Sequence, residues 1–134
     1  MQKHDIFKLF VGNYVIGLHL FDTQKQMLNF CKRADYNVTK DTYAIYQPIE
    51  YVANIEGILV DCPLIGTFVF CKERLNYNVI IHKAAHAGID WMRTIKKVEV
   101  LKLKDGINDV EESLCYYIGD ISQSLFNLLG GYLK

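Results

Sequence analysis

Between residues 76 and 93 the chain places Val79, Ile80, Ile81, Ala84, Ala85, Gly88, Ile89 and Met92. On a helix of 3.6 residues per turn these positions reach nearly all the way round. A helix apolar nearly all round belongs in an interior, so the fold is expected to be built around this segment. Asn76 or Asn78 suits its N-cap. A second helix is expected over about 109–129, where Leu114, Ile118, Ile121, Leu125 and Leu128 recur at helical period before Gly130-Gly131.

Strands supply the rest. Residues 7–10 and 14–20 flank Gly12-Asn13, a turn signal between paired strands. Asp22 or Thr23 then suits the cap of a helix over 24–33, with Met27, Leu28, Phe30 and Cys31 apolar. Residues 42–46, 49–53, 57–60 and 65–71 are rich in Tyr, Ile, Val and Phe, with Asn54, Gly57, Pro63 and Gly66 as punctuation, and read as strands. A short strand over 98–103 and a turn at Asp105-Gly106 follow. The expected class is α+β, a small mixed or antiparallel sheet with packed helices. The 134 residues, with two prolines and no linker or repeat, read as a single domain. Residues 1–42 form its β-hairpin plus helix, and 43–134 its strands and two core helices.

Charge narrows the function. Fifteen basic and fifteen acidic residues cancel, which leaves no electrostatic footprint for nucleic acid. The lysine-rich run 93–104 is interleaved with Val98, Val100, Leu101 and Leu103, and reads as a solvated helix end and an edge strand. Cys31, Cys62, Cys71 and Cys115 form no C-x-x-C pair, which argues for reduced thiols in a cytoplasmic protein. Residues 6–21 are apolar but broken by Lys8, Asn13 and His19, too short a run for a membrane helix. Neither a nucleic-acid nor a membrane partner is expected.

His82-Lys83-Ala84-Ala85-His86 carries the candidate chemistry. Histidines four apart on a helix stand one turn above the other and can offer two imidazoles to one Zn²⁺. Metalloproteases of that design read H-E-x-x-H, with the Glu as general base. Lys83 occupies that position, and a protonated amine cannot accept a proton from metal-bound water. Glu112 is the candidate third ligand; its other reading is the N3 residue of a capping box begun by Asp109. Glu111, Asp90 and Tyr116 are candidates for supporting the ligands, Asp90 by orienting His86 from four residues on. His4 and His19 have no companion in sequence.

The order of strand 65–70, helix with His82-Lys83-Ala84-Ala85-His86, and helix with Glu112-Ser113-Leu114-Cys115-Tyr116-Tyr117-Ile118-Gly119 resembles small zincin-like proteins encoded by bacteriophages. These read roughly H-E-x-x-H-A and then E-A-x-A-Y-L-x-G. His86-Ala87 and the spacing of Glu112, Tyr116 and Gly119 carry the match, over about residues 43–129. The resemblance implies a zincin-like core with His82, His86 and Glu112 as zinc ligands. With Lys83 in place of the base, it implies a catalytically inactive pseudo-enzyme that acts by protein–protein contact. The partner would be a host-defence protein, a virion or other phage component, or another copy of itself, in the host cytoplasm or the virion. Tyr43, Tyr46, Tyr51, Tyr77 and Trp91 are candidate anchors for that contact. Two other readings stay open. One is an active zinc-dependent hydrolase or peptidase with an atypical base, Glu111 or Asp90. The other is a metal-free structural domain in which His82, His86 and Glu112 form a hydrogen-bond network.

Overall fold

In the computed structural model, residues 4–49, 54–55, 58–59, 64–94 and 109–133 are described. The expected hairpin forms from β1 (Asp5–Val11) and β2 (Tyr14–Phe21), antiparallel with Leu9 opposite Ile16. Gly12 makes the turn at φ 59°, a left-handed conformation that glycine adopts without a Cβ penalty. Thr23 caps α1 (Gln24–Arg33): its hydroxyl accepts from the Gln26 amide while the Gln26 side chain accepts from the Thr23 amide. Two orphan donors of the first turn are thereby satisfied.

β3 (Ala44–Pro48) starts two residues later than the sequence suggests. The Thr39 amide donates to Thr42 Oγ1 and the Thr42 amide to the Thr39 carbonyl, closing a turn that holds Thr42 out of the strand. The short β4 (Asn54–Ile55) and β5 (Ile58–Leu59) pair with each other. The expected strands at 49–53 and 98–103 fall almost wholly outside the described residues. β6 (Leu64–Cys71) is buried from Ile65 onward, as expected for a strand covered on both faces. It lies parallel to β2 and antiparallel to β3, giving a four-stranded mixed sheet in the order β1-β2-β6-β3. Pro48, which donates no amide hydrogen, sits in the edge strand β3.

Alternation along the strands divides the core. Leu9, Ile16, Leu18, Leu20, Phe68 and Phe70 face α2 (Tyr77–Thr94) and α3 (Asp109–Leu129). Phe21, Val69 and Cys71 face the other way, onto Met27 and Cys31 of α1. The fold is therefore α+β, with helices on both sides of the sheet. α3 buries Leu114, Tyr117, Ile121, Leu125 and Leu129, close to the expected stripe. α2 differs from expectation. It buries Ile80, Ala84 and Ala87 but leaves Ile81 and Ile89 exposed, because it lies in an outer layer and not at the centre. A Cβ built at Gly88 would stand 2.5 Å from Ile118 Cγ1, so glycine is what lets α3 pack this closely on α2. Among the described residues no helix is long and apolar enough to cross a membrane.

Candidate metal centre

β6 leads through a 3-10 turn (Lys72–Arg74) and the buried Leu75 into α2, whose first turn is closed by Asn76: the Val79 amide donates to Asn76 Oδ1 at 2.9 Å. From there the helical period decides where each side chain points. At about 100° per residue, Ala84 and Ala87 stay within about 40° of the inward direction of Ile80. Lys83, Asp90, His86 and His82 fan out on one flank, at about 60°, 80°, 120° and 160°. That flank faces β3, since the Tyr46 hydroxyl of β3 donates to Asp90 Oδ2 at 3.2 Å.

His82 and His86 are brought together. Their Nε2 atoms lie 3.1 Å apart and their ring centroids 4.8 Å apart. Both side chains are exposed, where the sequence suggested a helix buried nearly all round. With metal–nitrogen bonds of about 2.05 Å, that separation corresponds to a ligand–metal–ligand angle of about 100°, between square-planar and tetrahedral values. The same distance suits one N–H···N hydrogen bond when no metal is bound. His86 is held below its ordinary pKa by partial burial first, then by the charges of Lys83 and His82, which favours the neutral ring that a metal would need. The Lys83 amine is itself pulled down by burial. His82 also borders an open cleft of about 550 Å³ with Tyr43, Glu73, Arg74 and Asn78. There the Arg74 guanidinium sits 5.2 Å from the Tyr43 ring centroid.

Glu112 is not brought to this pair. On α3 it lies about 160° from Leu114 and Ile121 turns back under Leu114, so the stripe that buries α3 turns Glu112 to solvent. The helices meet through Gly88 and Ile118, and the histidines are on the far flank of α2. Among the described residues no three His, Cys, Asp or Glu side chains gather where a metal ion could be held. The donor set thus fits two ligands to a metal and does not fit the expected three. Tyr116, on the same solvent face as Glu112, is exposed and does not serve the histidines; the Glu111 side chain lies outside the described residues.

Asp90 serves a different partner than expected. Tyr46 leans across Gly66, where a Cβ would collide with its ring, and so reaches Asp90. Burial first, and the Asp90 charge second, push the Tyr46 phenol well above its usual range, which keeps it a donor. Tyr46→Phe should cost about 1.5 kcal/mol, the value of a hydrogen bond to a charged acceptor, read as a lower urea midpoint at unchanged slope. Of the aromatic anchors, Tyr43 and Tyr77 are exposed, whereas Tyr46 and Trp91 are partly buried, the latter stacked on Tyr117 at 4.4 Å. Tyr51 lies outside the described residues.

The remaining two histidines also meet. His4 Nε2 lies 2.8 Å from His19 Nδ1. The two-residue turn fixes a register in which Asp5 faces Leu20 and Ile6 faces His19, so residue 4 falls diagonally beside residue 19. Counting back from Gly12-Asn13 would have found this pair.

No family model matches the chain, and no curated protein or solved structure matches it either.

Proposed function

We propose that this chain is a non-catalytic binding protein, a zincin-like pseudo-enzyme of the phage-encoded type. In this reading His82 and His86 hold a zinc ion or a similar divalent metal, and the protein acts by contact with another protein. The observation that carries it is the facing of the two Nε2 atoms at 3.1 Å on an exposed turn, with Lys83 where a base would stand. Two imidazoles from one helix supply half of a tetrahedral shell, and the open positions go to water or to a group from the partner. Peptide hydrolysis needs a carboxylate at the metal-bound water, and Lys83 repels both the metal and the proton. The free thiols of the buried Cys31 and Cys71 suit a reducing compartment such as the cytoplasm.

The contact surface in this reading is the outer side of the helix pair. Tyr77 (58% exposed), Ile81 (47%) and Ile89 (37%) lie there on α2, and Tyr116 (67%) on α3. Exposed aromatic and aliphatic side chains are what a protein interface uses.

Metal content tests the reading: protein purified without added metal, wild type beside His82→Ala. About one zinc per chain in the wild type, lost in the variant, is the expected result. A metal-free wild type that also fails to take up added Zn²⁺ would remove the metal from the proposal.

A further inference from the structure

His4 is the first described residue of the chain, immediately ahead of β1. It is held down by three rings. It stacks on Phe21 at 4.2 Å and 19°, and its centroid lies 5.7 Å from Phe30 of α1 and 5.0 Å from His19. His19 packs on Phe30 in turn, at 4.6 Å. A polar link joins the two imidazoles of this aromatic nest, the 2.8 Å contact between His4 Nε2 and His19 Nδ1.

That link depends on protons. In a neutral pair one ring donates N–H and the other accepts through its lone pair. One added proton leaves a donor and an acceptor in place. A second removes the acceptor and sets two cations against each other beside apolar rings.

We propose that His4 and His19 form a proton-operated latch, which docks the His4 ring near neutrality and releases it in mild acid. Release uncovers the faces of Phe21 and Phe30 on the α1 side of the sheet.

The surroundings fit this behaviour. His19 is held below its ordinary value of 6.5 by burial first and by the His4 charge second. On β1, the Asp5 carboxylate lies 3.8 Å from Lys72 Nζ. Lys8, also on β1, sits opposite Gly17, two positions along β2 from His19. From the helix side come Phe30 and, one turn on, Arg33, with Tyr36 edge-on to Phe30 at 6.2 Å. The sign follows from the depressed value. The undocked imidazole binds its proton more readily than the docked one, so the docked state is favoured above 6.5 and is lost as pH falls below it.

The test is an NMR titration of the full chain through mildly acidic pH, following the ring contacts of His4 with Phe21 and Phe30. In the wild type these contacts should vanish once both imidazoles are protonated, as pH falls below 6.5. His4→Phe keeps the stack and removes the proton site, so its contacts should persist through the same range. Contacts that survive in the wild type after both rings are protonated would overturn the latch. So would an equal acid loss in His4→Phe.

Discussion

Phe68→Ala is expected to lower the unfolding free energy by about 3–5 kcal/mol, the range for truncating a large aromatic in a packed interior. Phe68 sits in the middle of β6 with no exposed surface. It stacks on Phe70 at 5.6 Å and holds the Tyr46 ring at 4.9 Å. Its loss opens a cavity where the sheet meets α2, and the sheet cannot collapse to fill it because both neighbouring strands are tied to β6 by register. Single domains carry about 5–15 kcal/mol in total, so this one change removes about a third to a half of the stability of a mid-range domain. Urea unfolding reads it as a lower midpoint. Phe10→Ala is the matched control: Phe10 is 65% exposed and its loss should stay within about 0.5 kcal/mol. Equal costs at the two positions would refute the burial of Phe68 and the exposure of Phe10.

Lys83→Glu should tighten binding of Zn²⁺ or Ni²⁺ at His82 and His86 by about tenfold or more, measured by isothermal titration at low salt. The substitution removes a cation whose charge His86 feels and puts an anion on the same flank. The gain should shrink as salt is added, because both imidazoles are open to solvent. Lys83→Gln should give about half of the effect in free energy, since it changes one unit of charge and not two. Peptide hydrolysis is not expected to appear with it, as Glu112 remains on the solvent face of α3. Unchanged affinity in Lys83→Glu would place the metal away from this turn.

Much of the fold was legible because local chemistry and tertiary packing agree. The Thr23 cap, the Gly12-Asn13 turn and the α3 stripe each act within a few residues of themselves. The site was legible only in part. The histidine spacing states its own geometry, since four residues on a helix bring two side chains to one face. Glu112 matched by its spacing to Tyr116 and Gly119, yet Leu114, Ile118 and Ile121 already dictated that its face would be the outer one. Amphipathic period and motif spacing disagreed there, and burial decided between them. The apolar breadth of α2 misled in the other direction: Ile81 and Ile89 lie on its outer surface. The parallel pairing of β2 with β6 depends on contacts between distant segments, which no local pattern encodes.

That pairing also governs how the chain gets there. Val15 to Phe21 must find partners between Leu64 and Cys71, some fifty positions further on. The hairpin and α1 can form as soon as they exist, but they bury little until β6 arrives. Most of the interior therefore closes in one late step, against the entropy of a long loop. During synthesis the early third of the protein leaves the ribosome with Ile16, Leu18 and Leu20 still uncovered. This chain should fold slowly for its size, and its exposure to aggregation should be set by the wait for one strand.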